Sequence, residues 1–136
     1  MLDTNIWISL FVFKGRRFEE LIVKICLQHT LVMSSNILNE LYEVIERKFP
    51  GQSDSLEKFL SQIPFETVIT SNQANLESDI SIRDENDERI LISAIDTNVD
   101  IFITGDKDFL EVKLPKPKIL SAAEFLDNYQ KVYLLI

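Results

Sequence analysis

RDENDERILISAIDTNVDIFITGDKDFL (83–110) holds two periodicities in succession. From Asp87 to Thr97, apolar residues recur at Ile90, Leu91, Ala94 and Ile95, the spacing of one helical face. DIFIT (100–104) is almost unbroken apolar sequence, as expected of a strand covered on both faces. GDKDFL (105–110) then turns tightly into a short helix, with Asp106 and Asp108 just past the strand's carboxyl end. A helix that feeds a doubly covered strand belongs to a parallel α/β sheet.

The alternation continues to either side. Toward the amino end, FETVIT (65–70) reads as a strand because β-branched side chains favour extension, and LVM (31–33) is a short apolar strand. Ser34 or Ser35 can cap a long helix from Ser35 to about Phe49, apolar at Ile37, Leu38, Leu41, Val44 and Ile45 and ended by Pro50-Gly51. Ser53 or Asp54 can cap LEKFLSQI (56–63). FEELIVKICLQ (18–28) puts Phe18, Leu21, Ile22, Ile25 and Cys26 on one face, so Cys26 reads as core. The dense run from Asn5 to Phe13 fits a buried helix or a strand; Trp7, Phe11 and Phe13 read as core or a dimer face. Toward the carboxyl end, KIL (118–120) is a fourth strand candidate and SAAEFLDNY (121–129) a last helix. Residues 71–86 read as polar and irregular, and KVYLLI (131–136) is an apolar tail of open assignment. The expected architecture is one three-layer α/β/α domain over residues 1–136.

Composition sets the outer bounds. With 136 residues, 46% hydrophobic and 26% charged, the chain falls outside the disordered and low-complexity classes. No stretch reaches the length of a membrane span and no basic leader opens the chain, so the expected setting is the cytoplasm, away from membranes. Cys26 is the sole cysteine, which excludes an intrachain disulfide framework and a cysteine-based zinc site. The net charge of −8 argues at first against a nucleic-acid binder. That charge is localised. Residues 77–111 hold eleven acids against three bases, and the remainder of the chain is balanced.

In open α/β sheets, ligands sit beyond the carboxyl ends of strands. Asp106 and Asp108 lie there, Asp3 ends whatever strand Met1 and Leu2 belong to, Glu40 lies on the helix after LVM, and Asp87 opens the helix before DIFIT. Carboxylates brought to one rim repel and raise one another's pKa unless a cation joins them. Oxygen donors without thiol or imidazole suit Mg²⁺ or Mn²⁺, one ion or two, which can activate water against a phosphodiester.

The motifs LDTNIWIS (2–9), LVMSSNILNELYEVI (31–45), RDENDERILISAI (83–95) and DIFITGDKDFL (100–110), with a weaker match at KILSAAEFL (118–126), resemble the PIN-domain family, and within it the toxin ribonucleases of toxin–antitoxin pairs. The resemblance implies a central, mostly parallel sheet of four or five strands between helices. It implies metal-binding roles for Asp3, Glu40, Asp87 and Asp106, an assisting role for Asp108, and orienting roles for Asn5 and Thr104. It further implies RNA as substrate, an antitoxin protein as partner, and a homodimer. In the family several apolar residues precede the first Asp; here only Met1 and Leu2 do, so either the true start lies upstream or the first strand is a stub and the sheet is weakened at its site-bearing end.

Other readings compete. A receiver-like module would need a phosphoacceptor Asp ending a middle strand and a Lys ending a late one, and LVMS, FETVIT and DIFIT supply neither. A nucleotide enzyme would need a Gly-rich phosphate loop, which is absent. A non-catalytic acidic protein that docks a basic partner remains the alternative. Asp84 is a substitute for Asp87, and Lys14, Arg16, Arg17, Arg47 and Lys48 serve equally as phosphate contacts or as solvated charges.

Overall fold

The dense apolar run behind Asp3 is a helix. In the computed structural model, which describes residues 1–13, 15–69 and 85–128, α1 (Thr4–Val12) starts directly after Asp3, whose carboxylate caps it by accepting from the Thr4 amide. Its buried face carries Ile6, Trp7, Leu10 and Phe11, while Phe13, the residue that closes it, is 70% exposed. Next come α2 (Arg16–Gln28), β1 (Val32–Ser34), α3 (Ser35–Lys48), α4 (Ser53–Ser61) and β2 (Glu66–Val68). After the segment 70–84 the chain continues through α5 (Glu85–Asp96), β3 (Ile101–Ile103), α6 (Lys107–Leu110), β4 (Lys118–Leu120) and α7 (Ala122–Asn128). Lys14, Arg83, Asp84 and the tail 129–136 lie outside the described residues, as does most of the irregular stretch expected at 71–86.

Local chemistry explains where these elements begin. The Ser34 hydroxyl accepts from the Ile37 amide at 3.3 Å and caps α3. Ser121 and Glu124 form a reciprocal capping box on α7, with the Glu124 amide donating to Ser121 Oγ and the Ser121 amide donating to Glu124 Oε1. Asn98, at φ 57°, takes the left-handed turn that ends α5.

The strands are parallel, as expected, but the sheet is divided. β1 pairs with β2 (Val32 opposite Glu66) and β3 pairs with β4 (Ile101 opposite Lys118), giving two ladders of two strands. Leu2 bridges to Ile103 in parallel and so adds the stub of a strand beside β3. The central sheet of four or five strands is thus divided between two ladders, with Leu2 alone bridging beside β3. Side chains hold the halves together: Leu2, Met33, Ile37, Leu41, Ile90, Leu91 and Phe102 belong to one buried cluster.

One expected core position changes. Cys26 is exposed, and Lys24 takes a buried place on α2 instead. The Lys24 ammonium lies over the Phe125 ring, 5.6 Å from its centroid, and donates to the Leu126 carbonyl at 2.7 Å, near the negative end of α7. A periodicity count does not foresee that a lysine can satisfy its charge on a carbonyl of a distant helix.

Leu2 is 1% exposed and joins the two ladders through its packing. Leu2→Ala is expected to cost about 2–5 kcal/mol of stability, read as a lower urea midpoint at unchanged slope. A loss below about 1 kcal/mol would show that the stub does not help to hold the sheet.

Candidate functional site

Asp3 is the centre of the acidic rim. Its amide donates to the Ile103 carbonyl at 2.9 Å and the Ile103 amide donates to the Met1 carbonyl at 2.9 Å, so the backbone delivers Asp3 to the carboxyl end of β3. The side chain is 2% exposed and both of its oxygens accept hydrogen bonds, Oδ1 from the Thr4 amide at 2.7 Å and Oδ2 from the Thr104 hydroxyl at 2.9 Å. Thr104, itself fully buried, accepts from the Asp106 amide at 3.0 Å through the same hydroxyl oxygen. One hydroxyl therefore links the two acids that stand 103 positions apart in the chain.

Asp106 caps the short α6, its Oδ1 accepting from the Asp108 amide at 2.9 Å. Asp106 is half-buried and the Asp108 side chain is exposed. The two strand-end acids thus differ: Asp106 faces the Thr104–Asp3 chain, and Asp108 steadies Asp106 through its backbone. Glu40 is half-buried on α3 and accepts at Oε2 from the Asn86 amide group at 2.8 Å. Asp87 lies half-buried beside Asn86 in the first turn of α5. Asn5 is exposed, and no hydrogen bond from it reaches Asp3.

Burial pushes the Asp3 carboxyl up from its ordinary 3.8 to about 6; the Thr104 and Thr4 hydrogen bonds work against that rise, and the charges of Glu40 and Asp106 add to it. The fields of two further acids thus reinforce the effect of burial on Asp3. Among the described residues, no three His, Cys, Asp or Glu side chains converge tightly enough to grip one metal ion unaided. The donor set instead suits a hard ion that keeps much of its own water and takes one or two carboxylates directly, the usual mode for Mg²⁺.

A cavity of about 480 Å³ lies elsewhere. It is lined by Met1, Leu31, Val32, Asp100, Ile101 and Phe125 among others, near the starts of β1 and β3, and none of the five acids faces it. The Asn86–Glu40 bond is the feature of the rim that motif reading misses. Its only trace in the sequence is a single amide inside the acidic run 84–88.

A family model described as PIN domain matches residues 1–108, a span that takes in Asp3, Glu40, Asp87, Asp106 and Asp108. Among solved structures, the chain is similar to one in the crystal structure of VapBC2 from Rickettsia felis bound to a DNA fragment from their promoter. The TM-score is 0.68 at 22% sequence identity, over 89% of this chain and 96% of that one. At that identity the likeness is one of fold. No curated protein matches the chain.

The raised Asp3 pKa has a definite sign. An acid whose pKa rises on folding contributes its full stability below its unfolded value and loses it as pH climbs through the folded value. Here the window runs from 3.8 to about 6. In chelator-treated protein, wild type should lose up to about 3 kcal/mol relative to Asp3→Asn between pH 4 and pH 7, measured by urea denaturation at each pH. A constant gap between the two proteins across that window would contradict the assignment.

Proposed function

This chain belongs to the PIN-domain family, and from that premise we propose that it is a Mg²⁺- or Mn²⁺-dependent endoribonuclease acting as the toxin component of a toxin–antitoxin pair. PIN domains are generally nucleases. The observation that carries the proposal is the hydrogen-bonded chain from the Asp106 amide through Thr104 to Asp3, which holds a desolvated carboxylate at the rim within the fields of Glu40 and Asp106. Asp3, Glu40, Asp87 and Asp106 are the residues to hold one or two ions, directly or through water. A bound divalent cation supplies a water of lowered pKa and positive charge against the phosphate of an RNA phosphodiester.

The chain's own groups do the positioning. Thr104 directs its proton to Asp3 Oδ2 and the Thr4 amide covers Oδ1, so the carboxylate plane is set before any ligand arrives. The Asp108 amide does the same for Asp106, and the exposed Asp108 side chain assists at the solvent edge. Asp3, walled off from bulk water, keeps its electrostatic interactions strong. The antitoxin part of the proposal draws on the VapBC2 neighbour, and the local excess of acid suits a basic segment of such a partner. The exposed apolar side chains of Phe13, Val23 and Leu27 support a homodimer through α1 and α2.

Purified protein should cleave single-stranded RNA with Mn²⁺ and stop when EDTA is added. Asp3→Asn and Asp106→Asn should each lose at least about 100-fold in rate, with circular dichroism unchanged. Undiminished cleavage by both variants in EDTA sinks the proposal; tight binding of a basic peptide with neither cleavage nor Mn²⁺ uptake would favour the acidic docking protein. Sedimentation equilibrium should give twice the chain mass, and the double variant Val23→Asp/Leu27→Asp should sediment as a monomer.

A further inference from the structure

We infer that Asn86 is a positioning residue for Glu40, holding that carboxylate at the rim without cancelling its charge; the inference rests on the metal-dependent reading above. Asn86 Nδ2 donates to Glu40 Oε2 at 2.8 Å, joining the first turn of α5 to α3 across 46 positions of sequence. The direction of the bond is not in question. An ionised carboxylate has only acceptors, so the amide must present its nitrogen. Below this bond the two helices are in contact, and Ile37, Leu41, Ile90 and Leu91 on them all lie in the buried cluster. The apolar contact fixes the helices, but Glu40 reaches the rim on a long, rotamer-rich stem. The amide tie at the top selects a placement for its head.

The residue type fits that task. In the run Asp84-Glu85-Asn86-Asp87-Glu88, Asn86 is the one side chain able to donate a hydrogen bond at neutral pH. An aspartate in its place would set a like charge against Glu40. A lysine or arginine would neutralise Glu40 and compete with a cation for it. The amide avoids both, because it binds the carboxylate and leaves its negative charge intact. Glu40 in turn adds to the field that raises Asp3, so its placement bears on the whole rim.

The test is Mn²⁺ affinity, read from the electron paramagnetic resonance signal of free Mn²⁺ at pH 7.5, for wild type, Asn86→Ala, Asn86→Gln and Asp3→Asn. Circular dichroism checks the fold of each. Asn86→Ala should weaken Mn²⁺ binding about 10-fold, and Asn86→Gln, which keeps the donor, should recover most of the loss. Equal affinity in Asn86→Ala and wild type, or a loss that Asn86→Gln fails to restore, overturns the positioning role. If Asp3→Asn loses Mn²⁺ while Asn86→Ala keeps it, the positioning role alone is wrong. A wild-type protein that takes up no Mn²⁺ overturns the metal-dependent reading and this inference together.

Discussion

Two backbone hydrogen bonds between the amino-terminal stub and Ile103 underlie the geometry of the whole rim. They set Asp3 beside Thr104, and from there the other features follow. The Asp3 carboxylate caps α1, meets the Thr104 hydroxyl, and comes within the field of Asp106. Asp3 is therefore a strand end, a helix cap and the most buried acid of the rim at once. Few substitutions there could be neutral, since each role draws on a different part of the residue: the amide, the Oδ1 cap and the Oδ2 acceptor.

Charge organises the second level. The excess of acid lies in residues 77–111, where Glu85, Asp96, Asp100, Asp108 and Glu111 are exposed. What distinguishes Asp3 is desolvation, the largest cause of its raised pKa, with Glu40 and Asp106 as smaller contributions. Several hydrogen bonds at the rim come from neutral donors: the Thr4, Asp106 and Asp108 amides, the Thr104 hydroxyl and the Asn86 side chain. Neutral donors orient carboxylates and leave their negative charge in place.

The divided sheet shows how far packing can stand in for strand pairing. Among the described residues the β1–β2 and β3–β4 ladders do not join through a continuous strand, and a cavity lies near the strand starts. The rim lies at the other ends of the strands. There Leu2, Thr104 and the Asp3 amide are fully engaged, so the weakened part of the sheet and the acidic rim are separated along the strand direction.

Much of this was legible in the sequence, because helix faces and doubly covered strands write their periods directly into it. The sequence alone determined the α/β class, the placement of all four ladder strands, the Ser-led helix and the five acids worth examining. Periodicity could not choose between helix and strand for residues 5–13, since an evenly apolar run has no distinguishing period; the Asp3 cap and the burial of Trp7 and Phe11 on one side decided it. Nor could it place Cys26 and Lys24, whose environments depend on where Phe125 and the Leu126 carbonyl arrive from the far end of the chain. Asn5 and Thr104 looked alike as polar neighbours of acids, yet Thr104 bonds Asp3 and Asn5 is exposed. The bond from Asn86 to Glu40 had no reading in one dimension. Contacts between residues far apart in sequence exist only once the helices have packed, and it was tertiary structure that turned a list of acids into a rim with an order.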